Sequence, residues 1–260
     1  MGLMLNVVLF VLLLLSSTLC AKHKVVIGVD HAPPYSYVED DGQIKGLIVD
    51  IIRAMPVAQE LEIETVACPF SRCVKMIAQG EIDIMGGLIN TKERQKVMAF
   101  VEPPYMVLES SFVFYKQASS SLEVNNYEDL YNKRIAVIRS GVFFPRFDED
   151  RELNKVPVNT EKIAIDLLLK DRVDLVIAVE ETADHSMSIL NQPSHQLEKV
   201  RYRFTKKIYG NMAMSLKFSN SSAGHKIRQG MEILANSHRL SMLVAPYNLP
   251  PIPSDLVSHP

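Results

Sequence analysis

Short runs rich in β-branched residues alternate with helical patterns along most of this chain, and this alternation narrows the possible folds more than any other feature. Residues 24–30 and 62–67 have the Val- and Ile-rich composition of strands. Between them, Ile48, Ile51 and Ile52 recur at the spacing of one helix face. Repeated strand–helix–strand order favours parallel sheets covered by helices on both faces. We therefore expect an α/β protein.

The same order continues through the rest of the chain, after a polar linker at 118–126. Residues 134–138 and 173–179 are predicted strands, and the second is almost continuously apolar. A helix is predicted between them at 160–170, with Thr160 as its N-cap. The other predicted elements are a turn-prone segment at 31–46, helices at 71–79, closed by Gly80, and at 223–236, interrupted by Gly230, and strands at 82–85, 111–115, 199–204 and 212–216.

Residues 1–21 have the outline of a signal peptide, with an apolar run at 7–15 followed by small polar residues. This run is too short to span a bilayer, because a membrane-crossing helix needs about 20 apolar residues. The segment before the run has no Lys or Arg, which departs from the usual pattern. We expect export to the periplasm, with a buried N-terminal helix as the alternative.

Cys20 could carry lipid after processing of this leader. However, Leu19 stands where a lipoprotein signal normally has a small residue. Lipid anchoring at Cys20 is therefore the minor alternative to a processed protein without an anchor.

The composition of the chain excludes several classes of protein. After removal of the leader, about 240 residues remain, which suits one large domain or two lobes of ordinary size. The whole chain is 47% hydrophobic and 22% charged, with a formal net charge of −2. Such values argue against disorder and against a surface that binds polyanions. We expect no nucleic-acid partner.

Cys68 and Cys73 flank a four-residue segment and could form a disulfide. An oxidising compartment permits one, and a strand-to-helix turn could bring the two Cα atoms close enough. The alternative is two unpaired thiols, with Cys73 packed as a small hydrophobic residue. Neither His nor a second Cys pair lies nearby at ligand spacing, so we expect no metal site.

Ligands of open parallel sheets bind outside the carboxyl ends of the strands, so the residues that follow each strand are the candidates for a site. An aromatic and proline cluster that includes Tyr35 follows the first strand. Gly86 and Gly87 follow the third, and paired glycines allow close backbone approach to a ligand. Arg94 comes shortly after them with a planar fork that matches a carboxylate. An exposed helix start with Arg94 in solvent is the alternative.

Two further candidate segments follow strands in the second half of the chain. Arg139 and Gly141 form a turn that could direct amide donors at an anion. Glu180 and Glu181 follow the next strand and could hold a ligand amine, although acidic residues also suit a helix start.

Several segments together resemble a known family, the bacterial family 3 extracellular solute-binding proteins. The markers are Pro34 and Tyr35, GQIKGLIVD at 42–50, GEIDIMGGLINTKER at 80–94, EPPY at 102–105, YEDLYNKRIAV at 127–137 and DRVDLVIAVE at 171–180. The resemblance covers nearly all of the chain after the leader.

The resemblance implies an α/β fold of the type II periplasmic binding class, in which two lobes enclose a ligand cleft. Each lobe would be a mixed, mostly parallel sheet flanked by helices. Lobe 1 would combine residues 22–110 with 210–260, and lobe 2 would be 111–209, with hinge strands at both ends. Ligand capture would close the lobes, and the closed form would dock on a membrane permease or receptor.

The resemblance also assigns roles to site residues. Arg94 matches the arginine that binds a ligand carboxylate, Gly87 a backbone contact and Tyr35 the aromatic wall. Arg139 and Gly141 fall on the turn of lobe 2 that often completes the anion site. Two positions depart from the family: Ile89 replaces a hydroxyl residue, and Val179 replaces the aspartate that binds an α-amino group. Glu180 could replace that aspartate only if the strand end turned it inward.

The sequence therefore predicts a periplasmic binding protein that captures a small carboxylate-bearing solute for an importer, as a monomer without a cofactor. One alternative is a lyase on the same fold, with Glu180 as its only candidate acid or base. The other is a module that reports ligand occupancy to a membrane signalling partner.

Overall fold

The computed structural model describes residues 22–39, 42–108, 111–180, 183 and 196–256. The predicted signal peptide, with Cys20, and the candidate Glu181 lie outside these ranges. Within them, no helix has both the length and the apolar character needed to cross a membrane.

Twelve strands and eight α-helices form the described part of the chain. The strands are β1 His23–Val29, β2 Ser36–Val38, β3 Ile44–Gly46, β4 Leu61–Ala67, β5 Ile84–Leu88, β6 Met98–Leu108, β7 Ser111–Gln117, β8 Arg134–Ile138, β9 Asn154–Val158, β10 Leu175–Val179, β11 Leu197–Thr205 and β12 Ile208–Ser215. The helices are α1 Leu47–Ala54, α2 Phe70–Gln79, α3 Lys92–Gln95, α4 Pro145–Glu149, α5 Glu161–Leu169, α6 Leu216–Ser219, α7 Ser222–Asn236 and α8 Arg239–Val244.

Two five-stranded mixed sheets form the centres of two lobes. The sheet of lobe 1 has the order β4-β1-β5-β12-β6, in which β1 is parallel to β4 and β5 and β12 is antiparallel to both of its neighbours. The sheet of lobe 2 has the order β11-β7-β10-β8-β9, with β8 parallel to β9 and β10. The predicted two-lobed α/β architecture is therefore confirmed.

The chain crosses between the lobes twice, once from β6 to β7 and once from β11 to β12. The two crossings run side by side, because Thr205 is paired with Ser111 and Ile208 with Leu108. The hydroxyl groups of Ser111 and Thr205 lie 2.9 Å apart and form a hydrogen bond. One narrow connection of two adjacent strands thus joins the lobes.

Helices cover the sheets through apolar faces that the sequence encodes. Five residues of α1 are buried against its neighbours: Leu47, Ile48, Val49, Ile51 and Ile52. Helix α2 ends at Gly80, which has the left-handed conformation with φ 74° that glycine adopts at low cost. Helix α5 begins after Thr160, whose side chain accepts a hydrogen bond from the Ile163 amide.

The structure contains four short helices that were not predicted, α3, α4, α6 and α8, and it differs from the predicted elements in further ways. The predicted turn at 31–46 contains a short hairpin of β2 and β3. Strands β6 and β9 were not predicted, because Pro103, Pro104 and Pro157 within them suggest loops. Helix α7 continues through Gly230, where a Cβ atom would lie 2.9 Å from Met55 Cγ, so glycine permits close packing rather than a break.

Candidate ligand-binding cleft

A cavity of about 460 Å³ lies between the two lobes, at the carboxyl ends of β1, β5, β8 and β10. This volume is in the range of small-molecule sites. Most of its wall is apolar. Its lining residues from lobe 1 include Asp30, Tyr35, Phe70, Gly87, Arg94 and Tyr105, and those from lobe 2 include Ile138, Gly141, Val142, Phe143, Glu161 and Val179.

Arg94 lines this cavity and is only 8% exposed. It lies on α3, whose N-cap Thr91 accepts a hydrogen bond from the Arg94 amide. One guanidinium nitrogen, Nη1, donates to the Ile89 carbonyl at 2.9 Å, and Nη2 donates to the Ser140 carbonyl of lobe 2 at 2.9 Å. Burial lowers the pKa of Arg94 to about 10, and the negative charge of Asp148 opposes this shift. Arg94 is thus cationic at neutral pH.

Aromatic rings and two glycines shape the wall beside Arg94. The centroid of the Phe70 ring lies 5.8 Å from Arg94 Cζ, a cation–π distance. The Gly87 amide donates a 2.6 Å hydrogen bond to the hydroxyl of buried Tyr105. A Cβ atom on Gly86 would lie 2.4 Å from that hydroxyl oxygen, so a glycine there lets Tyr105 reach the strand. The Gly87 amide is therefore already paired with Tyr105 in this conformation.

Two carboxyl groups in the cavity were not predicted as site residues. Asp30 follows β1 in lobe 1, and Glu161 is the first residue of α5 in lobe 2. Burial raises the pKa of Asp30 to about 6, hydrogen bonds to its carboxylate lower it, and the charge of Glu161 raises it further. Ser36 Oγ donates to the Asp30 carbonyl at 2.7 Å and approaches Asp30 Oδ1 at 3.5 Å. One carboxyl group from each lobe therefore faces the cavity.

A sequence signal for these two carboxyl groups exists but is weak. Asp30 ends an apolar strand at the edge where ligands bind, which is a recognisable pattern. Glu161 follows the N-cap Thr160, and acidic residues are common in the first turn of a helix, so its position does not indicate a site. Only the arrangement of the lobes brings the two together.

The structure places the six predicted site residues in two groups. Tyr35, Gly87, Arg94 and Gly141 line the same cavity. Arg139 and Glu180 do not belong to its lining.

Arg139 is exposed and lines an adjacent pocket of about 770 Å³. Its Nε donates to Asn159 Oδ1 at 3.3 Å and its Nη2 to the Pro157 carbonyl at 3.3 Å. These bonds direct the guanidinium along the surface of lobe 2.

Glu180 forms ion pairs on lobe 2, with Lys199 at 2.9 Å and with Arg203 at 3.4 Å. Its neighbour Val179 lines the cavity instead. Glu180 directly follows the last residue of β10, and its carboxylate binds two cations of β11 instead of entering the cavity.

The two departures from the family pattern, Ile89 and Val179, lie inside the cavity. Val142 and Phe143 also contribute apolar surface to its lining. An apolar surface therefore occupies the positions where the resemblance would place a hydroxyl group and an aspartate.

Cys68 and Cys73 form a disulfide with their Cα atoms 5.5 Å apart. Cys68 also lines the cavity, together with Pro69 and Phe70. Among the described residues, no group of three or more His, Cys, Asp and Glu side chains could hold a metal ion.

Comparison with solved structures identifies proteins with this fold. A mutant of ArgBP from T. maritima has 21% identity and a TM-score of 0.70, over 86% of this chain and 95% of that one. The arginine-, lysine-, histidine-binding protein ArtJ from Geobacillus stearothermophilus has 24% identity and a TM-score of 0.69, over 86% and 94%. A histidine kinase sensor domain similar to periplasmic binding proteins has 18% identity and a TM-score of 0.73, over 89% and 99%.

These structures show that the chain has the same fold as they do. The family is shown by a match of the sequence to a family model. Comparison with curated proteins gives no significant match. The family model for bacterial extracellular solute-binding proteins, family 3, matches residues 25–247, which is most of the chain. The protein therefore belongs to the family 3 bacterial extracellular solute-binding proteins.

Proposed function

We propose that this protein captures a small carboxylate-bearing solute between its lobes and delivers it to a membrane importer. Lobe 1 comprises residues 22–110 and 210–260, and lobe 2 comprises 111–209. In this proposal residues 1–21 direct export, and the processed protein works in the periplasm as a monomer without catalysis.

The observation that carries the proposal is the position of Arg94. A guanidinium buried in a mostly apolar cavity loses its hydration, and an anion within hydrogen-bonding distance compensates that loss. The two carbonyl groups that Arg94 contacts use two of its five N–H donors. Donors remain for a carboxylate, which a guanidinium can bind through two parallel hydrogen bonds.

The carboxyl groups of Asp30 and Glu161 support a second feature of the ligand, a cationic group. Two carboxylates that face one cavity repel each other when both are ionised, and a bound cation removes this repulsion. Because one carboxyl group belongs to each lobe, a cation between them also favours the closed form. A solute with a carboxylate at one end and an amine or guanidinium at the other fits this charge pattern.

The position of that cation would differ from the α-amino site of the family. Val179 and Ile89 offer no acceptor side chain where the resemblance would place an aspartate and a hydroxyl group. ArtJ, which has a similar fold, is described as arginine-, lysine- and histidine-binding, and arginine carries a carboxylate and a guanidinium. We therefore place basic amino acids and ω-amino or ω-guanidino carboxylates first among candidate ligands.

The likeness to a histidine kinase sensor domain favours a second candidate function, in which the closed protein docks on a signalling receptor. Both functions share the same ligand-capture step. Cross-linking of the loaded protein in membranes of its own host separates them, because the captured partner is a permease in one case and a kinase in the other.

The test of ligand capture is a thermal-unfolding screen of the protein expressed as the full chain and purified from the periplasm. The panel contains basic amino acids, ω-amino carboxylates, neutral amino acids, simple amines and simple carboxylates. A bound ligand raises the unfolding midpoint by mass action. We expect the largest shifts from molecules with both charged groups. Shifts from simple amines alone, or from no member of the panel, would contradict the proposal.

A further inference from the structure

The Cys68–Cys73 disulfide lies directly beneath the ligand cavity. It connects the residue after β4 with the first turn of α2. Cys73 is fully buried and Cys68 is 5% exposed, yet Cys68 still contributes to the cavity lining. The disulfide is thus close to the cavity wall, rather than a surface link between two loops.

Gly28 of β1 lies next to this disulfide. A Cβ atom on Gly28 would be in ordinary van der Waals contact with both sulfur atoms, 3.6 Å from Cys68 Sγ and 3.5 Å from Cys73 Sγ. Gly28 lines the same cavity. Both sulfur atoms therefore lie next to a residue of the cavity lining.

The four residues enclosed by the disulfide include Phe70, the aromatic residue beside Arg94. Phe70 begins α2, and the N-cap position is held by Pro69, which forms no side-chain capping hydrogen bond. The Arg72 and Cys73 amides donate to the Pro69 carbonyl at 2.8 and 3.0 Å. With no side-chain cap, the covalent link is the strongest restraint on the start of this helix.

We propose that the Cys68–Cys73 disulfide is a positioning element of the ligand site, which holds Pro69 and Phe70 as the wall that faces Arg94. Without the link, the first turn of α2 gains conformational freedom, and the Phe70 ring no longer keeps one position in the cavity. The effect on ligand affinity rests on the proposed function. The effect on the position of residue 70 does not.

The test uses the absence of tryptophan from this sequence. F70W places a single indole reporter at the start of α2, and F143W places one on the opposite wall of the cavity, in lobe 2. Each variant is expressed as the full chain and compared with the same protein carrying C68S and C73S. Emission, acrylamide quenching and circular dichroism are measured at 20 °C, well below the unfolding midpoint.

We expect loss of the disulfide to shift F70W emission to the red and to raise its quenching constant at least twofold, while F143W emission and the circular dichroism stay constant. Unchanged F70W emission would overturn the proposal. Equal changes in both reporters would also overturn it, because the disulfide would then support the whole fold.

Calorimetry completes the test and uses the protein without either tryptophan substitution. The ligand is the one that gave the largest thermal shift in the screen. We expect C68S/C73S to weaken binding about tenfold at 20 °C, and F70A to add little further loss in that background. Full affinity in C68S/C73S would overturn the role in binding. If the wild-type protein bound no member of the panel, the proposed function would be contradicted. The F70W result would still decide whether the disulfide positions residue 70.

Discussion

Arg94 and Ser140 are joined across the cleft, because Arg94 Nη2 donates a 2.9 Å hydrogen bond to the Ser140 carbonyl. Ser140 has a φ of 63°, in the left-handed region that serine seldom adopts. The same guanidinium also contacts the Ile89 carbonyl of its own lobe. One side chain therefore contacts both walls of the cavity and is central to the predictions that follow.

Replacement of Arg94 should weaken carboxylate binding more than loss of charge alone explains. Arg94→Ala removes both donors to a ligand, and we expect a loss of at least about 100-fold, because hydrogen bonds between charged partners contribute about 1.5–3 kcal/mol each. Arg94→Lys keeps the charge but not the planar fork, so an intermediate loss is expected. Calorimetry with the best ligand of the panel measures both. Arg139→Ala is the matched control, and an equal loss there would refute the assignment to Arg94.

Affinity for a cationic ligand should rise with pH as Asp30 ionises. The pKa of Asp30 is about 6, so the fraction ionised increases about tenfold between pH 5 and pH 7. We expect a similar gain in affinity for a ligand that carries an amine or guanidinium. The measurement is a series of titrations over this range. Asp30→Asn should abolish the pH dependence, and a wild-type profile that is flat would contradict the role of Asp30.

The same carboxyl group should make the unliganded protein less stable as pH rises. The folded-state pKa of about 6 is above the unfolded value near 3.8, so the folded state binds this proton more tightly. Stability from this group is present below about pH 4 and is lost as pH rises to about 6, by at most about 3 kcal/mol. Urea unfolding of wild type and Asp30→Asn measures this difference. Asp30→Asn should be the more stable of the two above pH 6, and the reverse order would refute the prediction.

Close packing at Gly28 should make a single methyl group destabilising. A Cβ atom there would lie 2.3 Å from Ile82 Cδ1, so Gly28→Ala is expected to cost about 1–3 kcal/mol in free energy of unfolding. Ile82→Val removes that contact atom. The double variant should therefore be more stable than the sum of the two single effects predicts, as measured by urea unfolding. Simple additivity would show that the strain comes from another contact.

The α/β architecture could be predicted from sequence because its strands are short apolar runs and some of its helices, such as α5 after Thr160, begin at a clear capping residue. Strands β6 and β9 could not, since proline removes a backbone donor and normally marks a loop. Their place in the sheets depends on pairing with distant strands, which local patterns do not encode.

Arg94 could be predicted as a site residue, because a guanidinium that follows paired glycines at a strand end suits the binding of an anion. The pairing of Asp30 with Glu161 was not, because each residue looks ordinary in its own segment and the two come from different lobes. Glu180 illustrates a further limit. The sequence shows that it follows a strand, but not that Lys199 and Arg203 of β11 bind its carboxylate outside the cavity.

The adjacent crossings at Ser111 and Thr205 have a mechanical consequence. Two hinge strands held side by side allow one lobe to rotate relative to the other but resist sliding. The expected motion is therefore hinge bending about one axis. Displacement at any point then scales with its distance from that axis. A small bend at Ser111 and Thr205 would therefore open a wide gap at the far rim, where a solute would enter in the proposed function.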